Sequence, residues 1–161
     1  MKPKTFRKIL RRFEILPLHH IDTDIIIEAG KDTKLGNICI DYMNRIGYKY
    51  RGVISLSVLG EFLLVILRDM EKLEDKELIL RAFDWTIKKQ KIGFAVPKPE
   101  TYQIVSMVLS LDSRIEPTDA LHYALAVQEK ADVFVTFDQK MVENRTLEKE
   151  FGVKIIHPEN L

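Results

Sequence analysis

Short apolar runs alternate with longer segments of helical periodicity along most of this chain. Runs such as "VFVTF" contain almost no polar positions and predict strands that are buried on both faces. Strands are predicted at 18–27 ("LHHIDTDIII", a strand followed by a turn), 51–57, 91–96, 133–137 and 153–157. Helices are predicted at 32–49, 57–70, 75–90, 99–112, 116–130 and 139–151, with Gly47 and Gly152 as helix stops. This alternation predicts one α/β domain with a mainly parallel sheet.

One charged side chain interrupts the apolar segment "SLSVLGEFLLVIL" at residues 55–67. Its apolar residues cover nearly all sides of the predicted helix, which indicates burial from several directions. Glu61 has no basic residue three or four positions away, so no ion pair forms within the helix. Because buried carboxylates are usually paired or bound to metal, a distant salt bridge, a solvated strip of surface or a metal ion remains to explain it.

Composition narrows the class of protein. The formal net charge is +1, but residues 1–20 carry six basic and one acidic side chain, a net +5, while the rest carry 19 basic and 23 acidic ones, a net −4. The body of the protein therefore lacks a bulk positive field for nucleic acid. Cys39 is the only cysteine, so an intrachain disulfide is excluded. No apolar run reaches membrane-spanning length, and we expect a cytoplasmic protein without membrane contact.

The first 17 residues are predicted to form a basic amphipathic extension, followed by a single domain at 18–161. The apolar positions of the extension recur at helical spacing: Phe6, Ile9, Leu10, Phe13 and Leu16. Pro17 is expected to stop this helix. Docking against the domain is the favoured role, and contact between RNA phosphates and Arg7, Arg11 and Arg12, or contact with a partner, is the alternative.

Four carboxylates are placed so that a parallel sheet brings them together. Asp22 and Asp138 each follow a predicted strand, whereas Glu61 and Asp119 lie near the starts of predicted helices. Each acid alone has an ordinary explanation as a turn residue, a helix N-cap or a favourable first-turn charge. Strand C-termini and helix N-termini share one edge of such a sheet, and acids crowded there favour a hard divalent cation such as Mg²⁺. Two such ions can activate water for phosphodiester cleavage.

Four segments carry a resemblance to a known family: "HHIDTDIII", "SLSVLGEFLL", "PTDALHYALA" and "VFVTFDQKM". Over about residues 18–158 the chain resembles the PIN-domain nucleases, and among them the VapC toxins. The resemblance implies a three-layer sandwich with strand order 3-2-1-4-5, RNA cleavage that depends on Mg²⁺ or Mn²⁺, frequent homodimers and, for a toxin, a cognate antitoxin partner. A housekeeping RNA-processing nuclease has the same implied site.

The resemblance also implies roles for individual residues. Its acidic metal site corresponds to Asp22, Glu61, Asp119 and Asp138, and its supporting hydroxyl to Thr136. Where many relatives have Asn or Ser two residues after the first acid, this chain has Asp24, a possible fifth acid. The basic extension is not a general feature of the family.

Other interpretations stay open at this point. "DTD" after a strand is similar to the nucleophile motif of haloacid dehalogenase-type phosphatases, but Ile25 and Ile26 replace the Gly-Thr that normally follows. A non-catalytic module that binds RNA or protein is a third possibility. We interpret His19 and His20 as structural residues with satisfied hydrogen bonds on opposite faces of the first strand. For His122, three residues after Asp119, we favour packing, although that spacing places it near the acids.

Overall fold

The computed structural model describes residues 14–161, so the first 13 residues of the predicted extension, including Arg7, Arg11 and Arg12, lie outside the described part. Five strands form one sheet: β1 (Leu18–Ile21), β2 (Arg51–Ser55), β3 (Gly93–Ala95), β4 (Val133–Val135) and β5 (Lys154–Ile156). All strand pairs are parallel, and the order is β3-β2-β1-β4-β5. The predicted α/β class and the strand order implied by the resemblance are both confirmed.

Eight α-helices flank the sheet within residues 14–161: α1 (Thr23–Ala29), α2 (Lys34–Met43), α3 (Leu56–Asp69), α4 (Leu73–Gln90), α5 (Pro99–Leu111), α6 (Pro117–Gln128), α7 (Gln139–Val142) and α8 (Arg145–Phe151). A 3₁₀ turn, Pro158–Asn160, follows β5. None of these helices is both long and apolar enough to cross a membrane.

The central strand β1 separates two apolar cores. On one face, Ile21 packs with Ile54 and Val135 against residues of α1 to α4. On the other face, Phe134 packs with residues of α5, α6 and α8. Apolar side chains therefore leave both faces of the short strands, which explains why the strands have no polar alternation in the sequence.

Two predicted elements differ from the structure near β1. Residues 25–27 were predicted to belong to the first strand and its turn, but they lie in helix α1, because Asp22 caps that helix and ends the strand. Helix α2 ends at Met43 instead of continuing to residue 49. Gly47 therefore stops no helix; it takes a positive φ of 80° in the following turn, where a Cβ atom would approach the carbonyl oxygen of Gln90 to 2.9 Å.

The predicted helix 139–151 is in fact two helices, α7 and α8. The side chain of Asn144 accepts a hydrogen bond from the N–H of Leu147 at 3.1 Å and so begins a new helix. Asparagine competes with helical backbone hydrogen bonds in this way and is favoured at N-caps. Gly152 ends α8 in the left-handed conformation with a φ of 74°, as predicted.

Helix α3, which carries Glu61, is buried on one side only. Val58, Phe62 and Ile66 face the core, whereas the side chains of Leu64 and Leu67 are 67% and 62% exposed. The expectation that this helix is buried from several directions is therefore wrong. Its N-cap is Ser55, which places Glu61 in the second turn of the helix.

Candidate active site

The carboxyl edge of the sheet places two acids directly after neighbouring strands. Asp22 follows β1 and caps α1, and Asp138 follows β4 by three residues and caps α7. Both acids are thus helix N-caps, as the ordinary explanation predicts. They nevertheless lie close together, because the strands before them are neighbours in the sheet. Ile21 lies beside Val135 in the sheet, and the N–H of Asp22 donates to the Val135 carbonyl at 3.1 Å.

Asp22 is the buried centre of this edge. Its Oδ1 accepts from the N–H of Thr23 at 2.8 Å and lies 3.0 Å from Nδ1 of His122, and its Oδ2 accepts from the hydroxyl of Thr136 at 2.7 Å. Burial alone raises the pKa of Asp22, but these hydrogen bonds and the charge of His122 outweigh it and hold the pKa below its usual range. The buried carboxylate is therefore charged at neutral pH.

Glu61 reaches this edge from α3 and has partners in the protein. Its Oε2 accepts from the hydroxyl of Thr23 at 2.5 Å, and its Oε1 lies 3.7 Å from Nε2 of His122. The side chain is 34% exposed, so its other face is open to solvent. Both Thr23 and a distant histidine thus hold the charge that looked isolated in the sequence.

His122, for which the sequence analysis favours a packing role, lies within the site. Its ring is buried between Asp22 and Glu61, and Nε2 has no hydrogen-bond partner among the described residues. Burial works against its charge, but the hydrogen bond to Asp22 and the negative charges of Asp22, Glu61 and Asp119 raise its pKa above the ordinary value. Its spacing of three residues from Asp119 was the one sequence signal for this position.

The remaining acids gather around Asp22. Asp119 is the third residue of α6, as predicted, and its pKa rises to about 7 because of partial burial and the charges of Asp22 and Asp138. The pKa of Asp24 is also raised by desolvation and by Asp22, Glu61 and Asp138. Thr136 joins Asp138 to this group, because its hydroxyl accepts from the Asp138 N–H at 3.1 Å. The structure therefore brings all five predicted acids to one edge of the sheet.

Comparison with known families places the chain in one of them. The family model for the PIN domain matches residues 20–146, which includes all five acids, His122 and Thr136. The chain belongs to the PIN domain family. PIN domains are generally nucleases, so membership supports a hydrolase and sets aside the phosphatase interpretation of "DTD".

Solved structures share this PIN fold at low sequence identity. A chain of VapBC2 from Rickettsia felis, bound to a DNA fragment from its promoter, is 16% identical with a TM-score of 0.62, covering 87% of this chain and 98% of that one. A chain of FitAcB from Neisseria gonorrhoeae is 16% identical with a TM-score of 0.64, covering 89% and 99%. A chain of FitAB bound to the IR36 DNA fragment is 14% identical with a TM-score of 0.64, covering 89% and 96%. No curated protein matches the chain in sequence.

A divalent cation bound by this PIN domain would need several oxygen donors around it. As the side chains stand, no three His, Cys, Asp or Glu residues within 14–161 are arranged to hold a metal ion. The donor chemistry nevertheless fits, because the acids raise one another's pKa and hard cations prefer carboxylate oxygens. Oδ2 of Asp22 accepts only from Thr136 among these contacts, so one of its lone pairs is free.

The two histidines of β1 differ from each other. His19 accepts or donates at Nδ1 to the Tyr42 hydroxyl at 3.1 Å and stacks on Tyr50 with ring centroids 4.1 Å apart, in keeping with a satisfied structural residue. His20 is fully buried on the opposite face beside Phe134, and neither ring nitrogen has a hydrogen-bond partner. The expectation of satisfied hydrogen bonds is therefore wrong for His20.

Proposed function

We propose that this PIN domain is an endoribonuclease that requires Mg²⁺ or Mn²⁺ and uses Asp22, Glu61, Asp119 and Asp138 as its acidic site. The observation that carries the proposal is the convergence of these acids at one edge of the sheet. Thr136 bonds to both Asp22 and Asp138, and Thr23 bonds to both Asp22 and Glu61. Partial burial and the charges of Asp22 and Asp138 also raise the pKa of Asp119. Such crowding of negative charge is costly without a cation and is typical of sites that bind one. Asp24 adds a fifth charge at the rim.

The protein's own groups would divide the work. Asp22 is fixed by three donors and provides a rigid, charged oxygen at the floor of the site. Glu61, Asp119 and Asp138 are more exposed and would complete the set of oxygen ligands. The bound cation would activate water and stabilise the leaving oxygen during phosphodiester hydrolysis. Thr136, bonded to both Asp22 and Asp138, would keep the two acids at a constant separation.

The test is cleavage of single-stranded RNA in the presence of Mg²⁺ or Mn²⁺. We expect wild type to cleave and Asp119→Asn to lose most activity, while the matched exposed variant Asp41→Asn on α2 cleaves normally. Equal activity of wild type and Asp119→Asn would show that the assigned site is wrong. RNA binding without cleavage by wild type would favour the non-catalytic module instead.

We further propose a protein partner, a cognate antitoxin, because an apolar groove lies open beside α4. The groove has a volume of about 250 Å³, and its wall includes Ile26, Phe62, Phe83 and Trp85. Trp85 is 59% exposed, and exposed apolar surface of this kind often marks a protein contact. The likeness to chains of the VapBC2 and FitAB structures supports this kind of partner.

This proposal makes the protein the toxin of a toxin–antitoxin pair, rather than a housekeeping RNA-processing enzyme. Co-expression with the product of the adjacent gene tests it, with affinity purification as the readout. We expect a stable complex that Trp85→Ser weakens and that Tyr48→Ser, a variant of another exposed aromatic outside the groove, leaves intact. A homodimer is part of the proposal, and sedimentation of the purified chain tests it.

The basic extension remains a proposed RNA contact. If Arg7, Arg11 and Arg12 each neutralise a phosphate, changing all three to Gln lowers RNA affinity and flattens its dependence on salt by about 0.7 in log–log slope per lost contact to single-stranded RNA. An unchanged salt slope would leave docking against the domain as the role of this segment.

A further inference from the structure

One residue contacts both Asp22, at the floor of the site, and Glu61. The backbone N–H of Thr23 donates to Oδ1 of Asp22 at 2.8 Å, and the hydroxyl of the same residue donates to Oε2 of Glu61 at 2.5 Å. Thr23 is the first residue of α1, and Glu61 lies 38 residues further along the chain on α3. A single threonine therefore connects the acid at the end of the central strand to the acid on a separate helix.

Glu61 needs such a contact to have a defined position. Its side chain is long, starts from the one-sided helix α3 and is partly exposed, so several rotamers are open to it in the absence of a partner. The Thr23 side chain is 4% exposed and packed at the helix start, so its hydroxyl is itself fixed. A hydrogen bond to a charged acceptor is among the stronger ones in proteins.

His122 limits Glu61 from the other side. Its Nδ1 contacts Asp22 at 3.0 Å, and its Nε2 faces Oε1 of Glu61 at 3.7 Å, with the ring buried. Nε2 has no hydrogen-bond partner within residues 14–161, so no other described group competes with Glu61 for this nitrogen. Thr23 thus joins Asp22 to Glu61 by two hydrogen bonds, and His122, which contacts Asp22, lies beside Glu61 without a hydrogen bond to it.

We propose that Thr23, with His122 opposite it, is a positioning residue that holds the Glu61 carboxylate beside Asp22 so that both acids can bind the same divalent cation. The cation in this inference rests on the proposed function, whereas the contacts of Thr23 are observed in the structure. It assigns a role to the hydroxyl that follows the first acid, a role distinct from that of Thr136. Residues that orient metal ligands from behind typically change metal affinity by 10- to 100-fold when removed.

The contact is tested first without metal, by a double-mutant cycle in urea. Thr23→Val keeps the shape and the backbone N–H but removes the hydroxyl, and Glu61→Ala removes its acceptor. We expect Thr23→Val to lower the unfolding midpoint in the wild-type background and to change it little in the Glu61→Ala background. Equal effects in both backgrounds would overturn the proposal, because the hydroxyl would then act independently of Glu61.

The role is tested next by calorimetric titration with MnCl₂. We expect Thr23→Val to weaken Mn²⁺ binding by about tenfold or more, and Thr23→Ser, which restores a hydroxyl, to recover most of the affinity. The matched control is Thr101→Val: Thr101 is equally buried, and its hydroxyl contacts Lys98 and Gln128 in another part of the fold. If Thr101→Val weakens Mn²⁺ binding as much as Thr23→Val, general destabilisation explains the effect and the positioning role is wrong.

His122 gives a second arm of the same test. We expect His122→Gln to weaken Mn²⁺ binding in wild type and to add little to the loss in Thr23→Val, because both residues act on Glu61. Full additivity of the two losses would contradict a shared role. Wild type that binds Mn²⁺ but leaves RNA intact would overturn the proposed nuclease function alone, since the cycle in urea and the Mn²⁺ affinities do not depend on cleavage.

Discussion

The hydroxyl of Thr136 donates to Oδ2 of Asp22 at 2.7 Å, so a buried hydrogen bond joins the ends of β4 and β1. The hydroxyl oxygen of Thr136 also accepts from the N–H of Asp138 at 3.1 Å. Two acids that are 116 residues apart are therefore separated in space by a single side chain. Part of the site geometry thus depends on one hydroxyl group.

Thr136→Val is expected to reduce stability, because it leaves Oδ2 of Asp22 buried without its donor. The cost of such an unsatisfied group is about 1–3 kcal/mol in the free energy of unfolding. Chemical denaturation with urea measures it at pH 7. Thr136→Ser keeps the hydroxyl and should lose clearly less; if Ser and Val variants unfold alike, the hydrogen bond contributes nothing.

Glu61→Gln is expected to keep the fold but to lower RNA cleavage by about tenfold or more. Losses of this size are typical when a metal ligand is changed or is no longer correctly oriented. Glutamine retains an oxygen that accepts from Thr23, so the contact between α1 and α3 survives. It removes one negative charge beside Asp24, whose raised pKa reports the crowding. Circular dichroism checks the fold and gel-based cleavage checks activity. Normal cleavage by this variant would return Glu61 to a structural role.

The two buried histidines of β1 should make the protein less stable in acid. Burial lowers the pKa of His19 from 6.5 to about 4, against a raising effect of Asp132. The folded state then binds fewer protons than the unfolded state, so stability is complete above pH 6.5 and is lost as pH falls towards 4. Each histidine contributes a slope of about 1.4 kcal/mol per pH unit in that window.

The measurement for this effect is the unfolding free energy at several pH values between 7 and 4. Burial also lowers the pKa of His20, to about 3, with His122 adding to the effect and Asp22 opposing it. Asp119, whose pKa rises to about 7, has the opposite effect in the same window, because its carboxyl binds a proton more readily in the folded protein. The profile of wild type is therefore the sum of this effect and of the slopes of the two histidines. His19→Gln removes one of them and should flatten the profile; an unchanged slope in this variant would mean that His19 titrates normally in the folded protein.

Asn144→Ala should destabilise α8 by about 1 kcal/mol, the usual cost of removing a side-chain N-cap. Asn144 caps Leu147 and also donates to Asp112 at 2.9 Å, so the loss has two sources. Thermal denaturation followed by circular dichroism measures it. Asn37→Ala, at an exposed position inside α2, is the matched control and should be neutral or slightly stabilising.

The parts of this fold that the sequence predicts are those with a long, regular pattern. The apolar strands and the helix at 99–112, observed at Pro99–Leu111, follow directly from their periodicity. The parts it does not predict are short helices that begin at a capping side chain, such as α1 after Asp22 and α8 after Asn144. In a seven-residue helix the apolar period is too brief to distinguish it from a strand or a turn.

The acids of the site can be predicted from the sequence, whereas the residues that hold them cannot. The positions of Asp22, Asp119 and Asp138 follow from strand ends and a helix start, because topology alone brings these points to one edge. The contacts of Thr23 with Glu61 and of His122 with Asp22 cross 38 and 100 residues. They depend on how α1, α3 and α6 pack together, which no local pattern encodes.

One turn of α3 borders both the apolar groove beside α4 and the acidic edge of the sheet. Phe62 lines the groove, packed on Phe83 with ring centroids 4.5 Å apart, while its neighbour Glu61 reaches the acids. A molecule seated in the groove would therefore contact α3, which carries Glu61, and α1, which Asp22 caps. An inhibitor bound there would touch two of the helices that position the acids without contacting the acids themselves.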